Sequence, residues 1–208
     1  MKRQIIAGLG VLCLIAFNCK AISEQDAYAI AKTTVPESYR THVISIYGKG
    51  TDKAIHTWYV NFLDPLAPNK GRVVVVQDAA ISRTYVSDRD GYDDNLSFDP
   101  ALLRTSADKA LATARSYATQ NQINYDAVSV GVRRTEVGRA PVWHVELKRE
   151  GRSQGVIYTR PEDAAFVSYS PPPKEMKGED LGKEITETFK GIGADLEEFF
   201  TGERTVDK

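Results

Sequence analysis

The chain has 208 residues, 42% of them hydrophobic and 26% charged, with a formal net charge of −1. That is enough apolar material for a core, and it lacks the basic excess of a nucleic-acid binder. Only 2 cysteines and 3 histidines are present, which argues against a disulfide scaffold and against a histidine metal set.

Lys2 and Arg3 precede an uncharged, mostly apolar run from Ile5 to Phe17, and Asn18-Cys19-Lys20-Ala21 forms a short polar exit. This order predicts a secretory signal peptide over residues 1–21, cleaved after Ala21, and so a periplasmic or secreted protein. The run is shorter than the roughly 20 apolar residues of a membrane span, so no span is expected after cleavage. The alternative is a lipid anchor at Cys19, although Ala16, Phe17 and Asn18 match a lipoprotein signal badly. Both cysteines, Cys13 and Cys19, lie in this leader, so the mature chain must be held together by its core.

A helix is predicted from Ser23. Ser23 with Asp26 makes an N-cap pair, Ala27, Ile30, Ala31 and Val35 share one face, and Pro36 ends the helix. Short strands follow at 43–47, 56–63 and 73–76, with a last one at 81–86. Gly48 to Asp52 and Asn69 to Gly71 are read as turns. Residues 88–103 are polar and acidic, with Gly91 and Pro100, and read as a linker; Asp88, Asp90, Asp93 and Asp94 do not match a calcium loop. A second helix, capped by Thr105 or Ser106, places Ala110, Leu111, Ala114, Tyr117 and Ala118 on one face. Strands at 128–132, 142–148, 155–159 and 166–169 come next. Pro171-Pro172-Pro173 is a stiff spacer. In the tail, Leu181, Ile185, Phe189, Ile192, Leu196 and Phe199 recur at steps of three and four, an amphipathic helical stripe in a segment that carries 6 basic and 10 acidic residues over 174–208.

The chain repeats itself. Ser23-Ala27-Ala31 returns as Ser106-Ala110-Ala114 after 83 residues, while Trp58 and Asp78-Ala79-Ala80 return as Trp143 and Asp163-Ala164-Ala165 after 85. The expected architecture is α+β: two repeated helix-plus-antiparallel-sheet (α-β-β-β) domains at 22–87 and 104–170, followed by the spacer and tail at 171–208. Trp58 and Trp143 would be the structural anchors of the two units.

The capped, alanine-spaced helix, the Trp-centred strand Trp58 to Phe62 and the strand Val73 to Ala79 resemble the PepSY family, in two copies covering about residues 22–170. The second copy departs from the pattern where Pro161 interrupts its third strand, and neither copy has the usual Thr-Gly after Asp-Ala. The resemblance implies an exported, non-enzymatic module, linked in some relatives to peptidase propeptides and peptidase inhibition.

Signals for chemistry are sparse. Gly151-Arg152-Ser153-Gln154-Gly155 spells a nucleophile-elbow motif, but it lies between predicted strands, and His42, His56 and His144 all precede it. A hairpin turn is the expected reading, with a hydrolase using Ser153 as the remote alternative. No cofactor is expected. If Trp143, Val145 and Leu147 face the helix, then His144, Glu146 and Lys148 face out. With Arg133 and, from the first copy, Tyr59 and Asn61, they form a candidate binding face for a protein or peptide partner, although an ordinary exposed strand face needs no such role. The runner-up is a structural envelope protein that assembles through its tail helix. How the two units sit against each other, and whether the tail docks on the chain or on a partner, stays open. One option is the second unit, which carries 10 basic and 7 acidic residues over 104–173.

Overall fold

The computed structural model describes residues 21–51, 53–68, 70–87, 94–135 and 137–172. The predicted leader, most of the acidic cluster and the tail stripe lie outside the described residues. The fold is α+β, with two α-helices and one eight-stranded antiparallel sheet among the described residues.

Helix α1 spans Glu24–Ala31 and begins with a capping box. The Asp26 amide donates to Ser23 Oγ at 3.1 Å, and the Ser23 amide reaches back to Asp26 Oδ2 at 3.4 Å. The helix is shorter than its apolar spacing predicts. At Lys32–Thr34 it tightens into a 3-10 turn, where Thr33 and Thr34 hydroxyls donate to the Ile30 and Ala31 carbonyls. Such hydroxyls compete for the helical carbonyls, and Pro36 forbids continuation.

Four strands follow: β1 Val43–Gly50, β2 Ile55–Leu63, β3 Gly71–Gln77 and β4 Ala80–Val86. Strand β1 runs through the glycines expected to turn. Gly48 lies opposite Trp58, and a Cβ there would come within 2.8 Å of the indole, so this glycine makes room for a ring inside a strand. The β3–β4 hairpin turns on Asp78 and Ala79 at φ 53° and 60°, the left-handed pair that a tight two-residue turn requires.

The segment expected to be a solvated linker contributes to the core. Phe98 is 2% exposed, and it exchanges backbone hydrogen bonds of 2.8 and 3.0 Å with Val43. Arg134 Nη1 donates to the Ser97 carbonyl at 2.7 Å and ties the same segment to the other half.

Helix α2 spans Ala107–Gln120, and the four strands after it are β5 Ala127–Arg133, β6 Val142–Arg149, β7 Arg152–Thr159 and β8 Phe166–Ser170. The expected caps do not act as caps. Ser106 makes no side-chain cap bond, and the Thr105 hydroxyl donates to the Pro161 carbonyl. The buried Glu24 carboxylate of α1 accepts the Ala107 amide instead, so one helix caps the other. Burial raises the Glu24 pKa, and these backbone hydrogen bonds oppose the rise. Pro161 lies beyond β7, in the β7–β8 loop, and so interrupts no strand.

The strand order is β4-β3-β2-β1-β5-β6-β7-β8. The antiparallel pairing of β1 with β5, Ser45 opposite Arg133 through Gly50 opposite Val128, joins the two four-stranded meanders. Each half therefore has four strands where the compact α-β-β-β pattern has three, and both halves share one sheet. Both helices pack on the same core. Ala27 and Ala31 of α1 and Ala110, Ala114 and Ala118 of α2 are buried with Val60, Val74, Val130 and Val145. Their small side chains let the helices lie close to the sheet.

Trp58 and Trp143 are 1% and 0% exposed and anchor this inner face. Their polar ends differ. Trp58 Nε1 donates to the Ile22 carbonyl at 2.9 Å, whereas Trp143 Nε1 is buried without a partner.

Candidate functional site

Side chains of consecutive strand residues point to opposite faces, so the registers fix what lies on the side away from the helices. One row crosses the sheet as Arg83, Val75, Tyr59, Tyr47, Gly131, His144, Tyr158 and Ser168. A second row holds Asn61, Ser45 and Arg133, and a third holds Lys49, Ser129 and Glu146. Lys148 lies two residues beyond Glu146 on β6. The six residues singled out from sequence, Tyr59, Asn61, Arg133, His144, Glu146 and Lys148, are thus brought to one outer face from β2, β5 and β6.

The face is built around aromatic rings. Tyr47 and Tyr59 have centroids 6.0 Å apart, with Lys49 Nζ 5.7 Å and 5.2 Å from the two rings. That is cation–π geometry, worth about 0.5–1 kcal/mol at an exposed site. On the other side of β5, His144 lies 6.5 Å from Tyr158. Gly131 separates the two groups. A Cβ there would come within 2.6 Å of His144 Cε1 and Nε2 and 3.2 Å of Tyr47, so this glycine is the floor on which the imidazole rests.

His144 was expected to be exposed and is half-buried. Burial first, and the Arg133 guanidinium second, push its pKa down from 6.5 to about 4, which keeps the imidazole neutral near pH 7. Asn61 also points outward in register but is 7% exposed, and its Oδ1 has no partner. Lys148 Nζ pairs with Glu146 at 3.0 Å. Burial acts to lower the Lys148 pKa, but the hydrogen bond to Glu146, the Tyr47 hydroxyl and the Glu146 charge hold it above the ordinary lysine value. Burial also raises the Tyr158 pKa, against the pull of Arg133.

The sequence reading missed Tyr47, Lys49, Gly131 and Tyr158. Tyr158 was within its reach, because alternation from the buried Ile157 sends the next residue outward. Tyr47 and Gly131 join the face through the β1–β5 pairing, which carries no local sequence signal.

Ser153 sits near the start of β7 opposite Lys148, and its hydroxyl accepts the Gly155 amide at 3.3 Å. The motif glycines have structural uses. Gly151 (φ 78°) follows Glu150 (φ 51°) in the β6–β7 turn, and Gly155 (φ 125°) lies under the Tyr169 ring. A shallow depression of about 460 Å³ between α2 and β8 is lined by Thr113, Ser116, Tyr117, Gln120, Asn121 and Phe166, with Tyr117 and Phe166 stacked at 4.7 Å. Among the described residues no cluster of three or more His, Cys, Asp or Glu could hold a metal ion, and no helix is long and apolar enough to cross a membrane. No family model matches this sequence, and the searches of curated proteins and solved structures found no match to it.

Proposed function

We propose that this chain is an exported, non-enzymatic protein built from two diverged PepSY-like units, and that it acts by binding another envelope protein through the outer face of its sheet. A peptidase is the first candidate partner. Two related observations support the doubling: each half is a helix followed by a four-stranded meander, and each keeps a buried tryptophan on its second strand. Ala79 and Ala164, which occupy matching places in the two halves, also share φ 60°.

The binding role rests on the composition of the face. Tyr47, Tyr59 and Tyr158 lie among the cations Lys49, Arg83, Arg133 and Lys148, with Glu146 as the one carboxylate in these described strand positions. Tyrosine and arginine are among the residue types that dominate protein interfaces, and an acidic partner surface would complement the excess of cations. Affinity capture from the native envelope tests this, with the tagged chain from Ile22 and its Tyr59→Ala/Arg133→Glu variant. A partner retained by the parent chain and lost by the variant is the expected result. The same proteins retained by both would refute the face.

A second reading, an assembly protein, draws on strand β4. It is a sheet edge exposed along its whole length, with Ile81, Tyr85 and Val86 at 38%, 39% and 41%. Open edges pair with other strands. A mass measured by light scattering that rises with concentration, and stays low in an Ile81→Lys variant, would favour it.

A further inference from the structure

Strand β4 ends the sheet, and among the described residues no element pairs with its far side. We infer that two copies of this chain pair their β4 strands antiparallel about a two-fold axis at Thr84, and that assembly stops at this dimer. The inference rests on the edge-assembly reading above and adds the partner, the register and the end point.

The backbone of β4 is the first argument. The Ser87 amide donates to the Gly71 carbonyl at 2.8 Å, so these two residues form a hydrogen-bonded pair. Antiparallel pairs alternate, so Tyr85 with Val73 and Arg83 with Val75 bond in the same way. Thr84, opposite Val74, and Val86, opposite Arg72, then turn their N–H and C=O groups away from β3. The strand that offers these groups is exposed throughout and contains neither proline nor lysine to guard it. Its one charged side chain, Arg83, lies over its own Tyr85 ring at 5.1 Å, and the irregularity in its ladder sits near the hairpin end, between Val75 and Val76.

The opposite edge is the second argument. Strand β8 has 5 residues against 7 in β4, and Pro171 and Pro172 follow it at once, with no amide hydrogen to extend a ladder. Pairing β4 of one copy with β8 of the next would build an open filament, and β8 is poorly fitted to it. Pairing β4 with β4 uses the same patch twice and closes the assembly. It also covers part of Ile81 and Val86, which are exposed on the helix side of the sheet, opposite Val76 and Arg72.

Register is the third argument. The outward groups must meet one another, so Ser82, Thr84 and Val86 of one copy face the same set of the other. An axis at Arg83 overlaps the strands most but sets Arg83 against its own copy, and like charges directly opposite are destabilising. Moving the axis to Thr84 removes that clash. Thr84 then faces Thr84, Ser82 faces Val86, and Arg83 faces its partner's Tyr85 on the other side of the sheet. Threonine pairs and cation–ring pairs are both favourable across strands. One pair of short strands falls well short of the about 800 Å² per partner of a standard interface, so the dimer is weak and forms at high concentration.

The test uses the full chain from Ile22. Sedimentation equilibrium from micromolar to millimolar concentration reads the mass, and isotope-filtered NOEs in a mixture of labelled and unlabelled chains read the register. A mass that climbs from one copy towards two and no further is the expected result, with contacts between copies from the Tyr85 ring to Arg83 and from Thr84 to Thr84. Thr84→Pro removes an amide that β3 does not use, so it should leave the fold intact and the chain monomeric. If that variant does not fold, Thr84→Lys, which sets like charges opposite each other, should have the same effect. A chain that stays monomeric at every concentration would overturn the inference together with the edge-assembly reading. Growth beyond two copies, or contacts between copies in another β4 register, would overturn the inference and leave edge assembly standing. Association that survives both Thr84 variants would overturn the inference and the use of this edge.

Discussion

Acidification should weaken this fold through one imidazole. His144 rests on Gly131 and is faced by Tyr47 from β1, Arg133 from β5 and Tyr158 from β7, with Glu146 two residues along its own strand. Burial and Arg133 lower its pKa from 6.5 to about 4. Between those values the unfolded chain takes up a proton that the folded chain refuses. The stability contributed by the neutral ring is therefore complete above pH 6.5 and is lost as the pH falls towards 4. Each pH unit in this window costs about 1.4 kcal/mol, and by pH 4.5 the loss would approach about 2.5 kcal/mol. Because the ring is only half-buried, solvent screening reduces this to about 1–2 kcal/mol. Urea denaturation of the parent chain and of His144→Gln at pH 7 and pH 4.5 reads the effect as the difference between the two pH dependences, since the carboxylates contribute to both. Identical pH dependences, or an imidazole that titrates at its ordinary value by NMR, would refute the reasoning.

The other expectations are local. Gly131→Ala should push the imidazole out of its seat, returning its pKa towards 6.5 and costing about 1–3 kcal/mol through overpacking; NMR titration and chemical unfolding check both parts. Trp58→Phe removes the donor that the Ile22 carbonyl uses, whereas Trp143→Phe removes a buried donor with no partner. Trp58→Phe should therefore be the costlier of the two by about 1–2 kcal/mol in equilibrium unfolding, and equal losses would count against that difference. Gly155→Ala places a Cβ against Tyr169 at φ 125°, so it should break the 2.6 Å bond from Tyr169 Oη to the Gln154 carbonyl and lower the melting temperature; an unchanged Tyr169 environment by NMR would contradict this.

Much of the secondary structure was legible because the inner face is so regularly apolar. Trp58, Val60 and Phe62, and again Trp143, Val145 and Leu147, alternate with polar residues and mark their strands directly. Glycine was the misleading signal. Gly48 is spaced like a turn residue but is present because an indole lies across the strand, a contact 10 residues away in sequence. The helix caps were half legible. Ser23 caps locally as its spacing predicts, while α2 takes its cap from Glu24, a residue 83 positions before its helical start, and no local pattern encodes that. Phe98 was hidden by its acidic surroundings, since a single ring in a polar stretch gives no period to read.

The candidate face depends on both halves in a way the sequence does not record. Tyr59 and Asn61 come from β2, and Arg133, His144, Glu146 and Lys148 from β5 and β6, so neither meander carries the set alone. The seam between β1 and β5 makes the set continuous. Tyr47 stands opposite Gly131 there, one half supplying a ring and the other the gap beside it. Had the halves remained apart, β1 and β5 would each be an open edge, with unpaired amides and carbonyls inviting adventitious strands. Pairing them satisfies those backbone groups and leaves β4 and β8 as the outer strands. The same pairing sets Tyr59 and His144 on either side of Tyr47 and Gly131, in one row. The energetic reason for closing the seam and the geometric origin of the face are thus one event: a substitution that opened β1 from β5 would remove the face before it exposed either tryptophan.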